Sequence, residues 1–169
     1  LGEAPQLGAE RRLAMVRALA DASGFAGMVG GQYVDVESTG EALDLAALKA
    51  MHGMKTGALI RAALALGAHC AEADEAQLAA LDRYGEHVGL AFQVVDDILD
   101  VESDSATLGK TQGKDAAANK STYVSLLGVE GARAEARRLL VVALDALGGF
   151  GDDADDLRAM ARYIVERDR

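Results

Sequence analysis

The chain has 169 residues, half of them hydrophobic, with one proline, one cysteine and no tryptophan, enough for one domain with a sizeable core. Its net charge of −10 argues against nucleic acid or an anionic membrane surface as main partner. A lone Cys70 excludes an internal disulfide and fits a reducing, cytoplasmic setting. No signal peptide or 18-residue apolar run is expected, since Arg61 interrupts the most apolar stretch, so stable membrane insertion is not predicted.

In chain order, residues 1–7 hold Pro5 and read as a loop. Ala9 to Ala22 is an amphipathic helix with Leu13, Val16 and Ala20 on one side. Gly24 to Val36, GFAGMVGGQYVDV, is rich in glycine. Glycines inside a helical pattern cost about 1 kcal/mol each against alanine, so a close approach of another backbone or of a ligand is predicted there. Ser38 to Glu41 is a turn, and Leu43 to Ala71 is a long helix. Asp74 to Glu102 is a second long helix, opening on acidic residues suited to a helix N-terminus. Ser103 to Asn119 is a polar loop, and Lys120 to Leu127 a short helix. Val129 to Ala146 and Asp152 to Glu166 close the chain as helices, with Gly148-Gly149-Phe150-Gly151 between them. Nothing alternates with period two, so the predicted fold is all-α, without sheet, repeat or internal domain boundary.

The most informative residues are Phe92 to Asp100, FQVVDDILD. Gln93, Asp96, Asp97 and Asp100 recur at helical spacing, within an arc of roughly 100° at 3.6 residues per turn. Val94, Val95, Ile98 and Leu99 take other directions. An acidic stripe is commonly a solvated face. This one runs along an otherwise apolar helix, which points it into a cavity. Three carboxylates that repel each other call for a positive partner, and a hard divalent cation with oxygen ligands suits them. Lys110, Lys114 and Lys120 follow within GKTQGKDAAANKST. Carboxylates for a metal followed by ammonium groups fit a phosphate ligand bridged by Mg²⁺. A calcium loop starting at Asp100 is excluded, because Ser105 and Thr111 stand where glycine and glutamate are needed. A phosphate loop at Gly109-Lys110-Thr111 is excluded, because Asp104 stands where its first glycine belongs.

A second constellation lies in MHGMKTGALIR, where His52, Lys55, Thr56 and Leu59 share a face. Among apolar neighbours Lys55 costs desolvation unless its ammonium meets an anion or snorkels to solvent. His52 is expected as a hydrogen-bonded core histidine. Gln32 is a weaker candidate.

GMVGGQYVDV, then HGMKTGALIRAA, then GLAFQVVDDILDVESDSATLGKTQGKDAAANKSTYVSLLG together resemble the C-terminal half of the trans-isoprenyl diphosphate synthases, the polyprenyl synthetase family, most closely its bacterial farnesyl-forming class. The resemblance runs from about residue 8 to the C-terminus. It implies an all-α bundle around a deep central cavity, a homodimer, and Mg²⁺ as cofactor. The implied reaction is prenyl transfer, joining isopentenyl diphosphate to an allylic diphosphate (dimethylallyl or geranyl) to give farnesyl diphosphate.

By the same resemblance, Asp96 matches a direct Mg²⁺ ligand, and Asp97 and Asp100 complete its aspartate-rich motif. Lys55 matches a lysine gripping the allylic diphosphate, Thr56 and Gln93 face the developing cation, and Lys110 and Lys120 reach the diphosphate. The family also uses a first aspartate-rich motif followed by arginines, which these residues lack; Asp152-Asp153-Ala154-Asp155-Asp156 reads as a charged helix start. Residues 1–169 are therefore expected to be the C-terminal half of a single polyprenyl synthetase domain, inactive in isolation. Alternatives are a non-catalytic subunit of a heteromeric prenyl synthase, another isoprenoid enzyme such as a terpene cyclase, and a plain helical bundle.

Overall fold

The computed structural model describes residues 6–107 and 120–167, and among these every regular element is helical. Among the described residues seven α-helices follow in order: α1 Ala9–Ser23, α2 Met28–Glu37, α3 Leu45–His52, α4 Ala58–Cys70, α5 Glu75–Thr107, α6 Tyr123–Ala146 and α7 Asp155–Glu166. One π turn, Gly53–Gly57, joins α3 to α4, and a 3₁₀ turn, Asp152–Ala154, leads into α7.

Local chemistry sets the helix starts. Asp44 caps α3 by accepting the Ala47 amide, which satisfies a donor left open in the first turn. Asp74 accepts the Gln77 amide at 2.8 Å while its own amide donates to Gln77 Oε1 at 3.0 Å, a reciprocal cap ahead of α5. Thr122 and Ser125 make the equivalent box at α6. The short helix expected over Lys120 to Leu127 thus begins at Tyr123, with Lys120 to Thr122 an extended strap before it. The break expected after Leu127 is real but brief: Gly128 has φ 71° and ψ 165°, so the helix axis turns there and continues.

α5 is the central rod, packing against α4, α6, α7 and the π turn. Its buried Ala91, Val94, Val95 and Ile98 form one core cluster with Leu48, Met51, Tyr123 and Leu139. Leu81, Tyr84 and Val88 form a second with Ala143, Leu147 and Ala161. Arg61 makes a paired contact to Asp82 at 2.7 Å, and Lys49 meets Glu135 at 2.7 Å, tying α4 to α5 and α3 to α6. Hydrogen bonds from Arg138 and Lys49 outweigh burial and hold the Glu135 carboxyl down at about 2. α5 extends to Thr107, so Ser103 to Thr107 are helical where a loop was expected. The rest of the expected loop lies outside the described residues.

The π turn interrupts the continuous helix expected over Leu43 to Ala71. Such turns insert a residue and re-aim the side chains around them. Two glycines let other backbones close on it. A Cβ on Gly31 of α2 would sit 2.3 Å from the Lys55 nitrogen, and one on Gly89 of α5 would sit 3.1 Å from the Gly57 Cα. The glycine-rich segment thus serves the backbone approach its sequence predicts.

α1 and α2 pack against α4 and the π turn through one side. Leu13, Val16, Phe25, Val29, Tyr33 and Val36 remain exposed. By length and composition alone the Ala9–Glu37 stretch could cross a membrane. The stretch is interrupted between Ser23 and Met28, and a core helix of a soluble protein meets the same measure.

Gly31→Ala is expected to lower stability in urea by about 2 kcal/mol through overpacking against the π turn. Gly67→Ala, in α4 with nothing within 4 Å of its added Cβ, is expected to raise it by about 0.5–1 kcal/mol. Equal effects of the two would contradict the packing described.

Candidate functional site

The π turn presents Lys55 and Thr56 toward α5 and α2. Lys55 Nζ donates to Asp35 Oδ2 at 2.7 Å, and Thr56 Oγ1 donates to Gln93 Oε1 at 3.0 Å. From the strap before α6, Lys120 Nζ donates to the other oxygen of Asp35 at 2.9 Å. One buried carboxylate thus gathers two ammonium groups from distant parts of the chain. Asp35 is 7% exposed. Burial works against its charge, but hydrogen bonds from Lys55 and Lys120 prevail and hold its carboxyl below the ordinary range.

Opposite this clasp, Asp96, Asp97 and Asp100 of α5 border the same cavity, of about 150 Å³, which Gln93 and His52 also line. The stripe predicted from spacing therefore does face a cavity. Asp96 Oδ1 accepts from Arg167 at 2.7 Å, and the Arg167 guanidinium lies 4.4 Å above the Phe92 ring. Asp97 Oδ2 accepts the Tyr123 amide at 2.7 Å, which anchors the start of α6. Ser121 Oγ accepts the Leu43 amide at 2.9 Å, so the strap carrying Lys120 is pinned from two sides.

The structure brings together Lys55, Thr56, Gln93, Asp96, Asp97, Asp100 and Lys120. Lys110 and Lys114 lie outside the described residues. Gln32 is exposed on α2 and does not line this cavity. His52 stacks on Tyr123 with centroids 5.9 Å apart and has a side-chain hydrogen bond with Gln93, as expected of a core histidine, while its Nδ1 is buried without a partner among the described residues. Burial, the main influence, lowers its pKa and favours the neutral ring. Sequence reasoning missed Asp35 and Arg167. Asp35 was visible as a lone carboxylate in the apolar, glycine-rich GGQYVDV, three residues after Gln32. Nothing in the sequence singles out Arg167.

Among the described residues, no three histidine, cysteine or carboxylate side chains converge on one metal position. A cation held by one or two carboxylates and completed by phosphate oxygens and water still fits this donor set, and Mg²⁺ binds in that way.

An all-α bundle whose cavity sets carboxylates on a central helix against ammonium groups on facing elements defines a class of protein suited to a metal-bridged anion. The polyprenyl synthetase family profile matches residues 5–161, and the chain belongs to that family. It is 48% identical over 169 residues to the farnesyl diphosphate synthase of Escherichia coli (strain K12), covering 98% of this chain and 56% of that protein. It is 42% identical over 169 residues to the farnesyl diphosphate synthase of Haemophilus influenzae, covering 99% of this chain and 57% of that one.

Among solved structures, an FPP/GFPP synthase from Zymomonas mobilis superposes with TM-score 0.80 at 38% identity, over 93% of this chain and 52% of that one. A geranyltransferase from Helicobacter pylori, complexed with magnesium and isoprenyl diphosphate, superposes with TM-score 0.73 at 31% identity, over 97% of this chain and 52% of that one. The chain therefore spans about half the length of the curated relatives it matches.

A carboxyl whose folded-state pKa is lowered adds stability above its unfolded value and loses it as pH falls through the folded one. Asp35→Asn is thus expected to cost about 1–3 kcal/mol at pH 7. The gap from wild type should narrow below pH 3.8, the ordinary value of this carboxyl. Urea denaturation from pH 7 to pH 2 measures it, and a gap that widens on acidification contradicts the clasp.

Proposed function

We propose that this chain is the C-terminal half of a prenyltransferase domain that binds an allylic diphosphate, dimethylallyl or geranyl, for condensation with isopentenyl diphosphate to farnesyl diphosphate. The observation that carries this reading is the placement of Lys55 and Lys120 on one carboxylate, Asp35, across a cavity from Asp96, Asp97 and Asp100. Four carboxylates outnumber two ammonium groups around that cavity, so a diphosphate is expected to enter accompanied by divalent cations. Family membership, and relatives named for farnesyl diphosphate synthesis, support the same substrate class.

Asp96, with Asp97 and Asp100, are the residues that would hold Mg²⁺, which when bound supplies Lewis-acid stabilisation to the leaving diphosphate. Lys55 and Lys120 exchange Asp35 for diphosphate oxygens and stabilise the negative charge that accumulates as the allylic carbon–oxygen bond breaks. Lys110 is assigned the same task. Thr56 and Gln93 share a hydrogen bond, and their oxygen dipoles can face the developing cation without attacking it. The buried apolar core along α5 helps to exclude water that would quench that cation.

The exposed apolar side of α1 and α2 fits pairing with a second copy, and we infer a homodimer. A cytoplasmic location accords with the single, exposed and unpaired Cys70.

Two measurements test this reading. In calorimetric titration with inorganic diphosphate, Lys55→Gln and Lys120→Gln are each expected to weaken Mg²⁺-dependent binding about tenfold, or ~1.4 kcal/mol; unchanged affinity in both contradicts the assignment. With geranyl and isopentenyl diphosphates, the 169-residue chain alone is expected to form no farnesyl diphosphate, since it carries one of the family's two aspartate-rich motifs. Product formation would overturn that expectation.

A further inference from the structure

Side chains from three elements meet at one hydrogen-bonded junction. His52 closes α3, Thr56 lies in the π turn that follows, and Gln93 sits on α5. Gln93 Oε1 accepts the Thr56 hydroxyl at 3.0 Å. The His52 imidazole is hydrogen-bonded to the same Gln93 side chain. Its ring lies against that of Tyr123 at an interplanar angle of 21°. Tyr123 is fully buried and its amide is tied to Asp97, so the imidazole is held in a fixed place.

The position of the ring proton decides what this junction presents. A neutral imidazole has one N–H donor and one acceptor nitrogen. Nδ1 of His52 is buried with no partner among the described residues. A buried N–H goes unpaired more rarely than a buried acceptor, so the lone pair belongs on Nδ1 and the proton on Nε2. Gln93 then receives that N–H. A glutamine amide has an oxygen on one side and an NH₂ on the other, and turning it over exchanges them. A ring N–H beside it accepts only the arrangement that offers oxygen.

We propose that His52 is a positioning residue whose Nε2–H holds the Gln93 oxygen toward Thr56, commits the Thr56 proton to Gln93, and so leaves the Thr56 lone pairs for the positive end of the reacting substrate. This rests on the allylic diphosphate reading of the site and adds a residue to it. With the amide turned over, its NH₂ would donate to Thr56, and the Thr56 proton would be released toward the cation. A developing positive charge would then meet the wrong end of a dipole. His52 acts through Gln93 and Thr56 and touches neither diphosphate nor metal, so the cost of its loss falls on the cation alone.

Nitrogen-15 spectra of the imidazole in the free, full chain are expected to show His52 protonated on Nε2. Calorimetry with Mg²⁺ then compares inorganic diphosphate with an allylic diphosphate analogue that carries an ammonium nitrogen in place of the cationic carbon. His52→Phe, which keeps the ring stack, is expected to weaken the analogue about fivefold and to leave inorganic diphosphate within about twofold of wild type. His52→Gln, which returns a donor, is expected to recover most of that loss. A ring with only a structural role would move both ligands alike. The proposal is overturned by a proton on Nδ1, by equal weakening of the two ligands, or by analogue binding that His52→Phe leaves unchanged. Failure of wild type to bind inorganic diphosphate would instead overturn the reading of the site, while the ring spectrum of the free protein still decides the link from His52 to Gln93.

Discussion

A buried carboxylate between two ammonium groups organises this molecule. Asp35 belongs to α2, Lys55 to the π turn and Lys120 to the strap before α6, so a single charge cluster ties together three segments far apart in the chain. An unpaired buried charge is costly, and pairing it recovers that cost only when the geometry is good and the remaining lone pairs are used. Here each carboxylate oxygen has its own ammonium partner. The same contacts hold two cations beside a cavity, available to any anion that can outcompete one carboxylate. Structural and functional demands meet in one residue.

The rest of the architecture serves this placement. The π turn can hold Lys55 in reach of Asp35 because Gly31 and Gly89 let α2 and α5 close on it. The strap is fixed by Asp97, which accepts the Tyr123 amide, and by Ser121, which accepts the Leu43 amide. Asp97 is thus tied to the position of Lys120 as well as to the carboxylate stripe. α5 carries different chemistry on neighbouring sides: Gln93, Asp96, Asp97 and Asp100 line one cavity, while Val95, Ile98 and Leu99 line a second cavity beside α6 and α7. Arg167 connects the two.

Periodic features were legible in the sequence. The arc shared by Gln93, Asp96, Asp97 and Asp100 follows from 3.6 residues per turn, and it does border a cavity. The helix pattern, the acidic start of α5 and the close approach at the glycine-rich segment were legible on the same grounds. The pairing of Asp35 was not, because its partners stand 20 and 85 residues away, and local periodicity carries no information about such contacts. The π turn escaped notice because it costs no sequence signature; it arises from how α2 and α5 pack. Arg167 lies beyond the last helix, where neither period nor motif constrains a side chain, and it reaches Asp96 only through the fold. Gln32 drew attention through its place in the glycine-rich segment, yet the helix turns it outward and Asp35 inward.

The most direct test of the central claim is a crystal structure of the protein grown with Mg²⁺ and inorganic diphosphate. The account predicts diphosphate oxygens within hydrogen-bond distance of Lys55 and Lys120, with both ammonium groups drawn away from Asp35 and a cation between the anion and Asp96. Both lysines still on Asp35, with the diphosphate bound elsewhere, would contradict it.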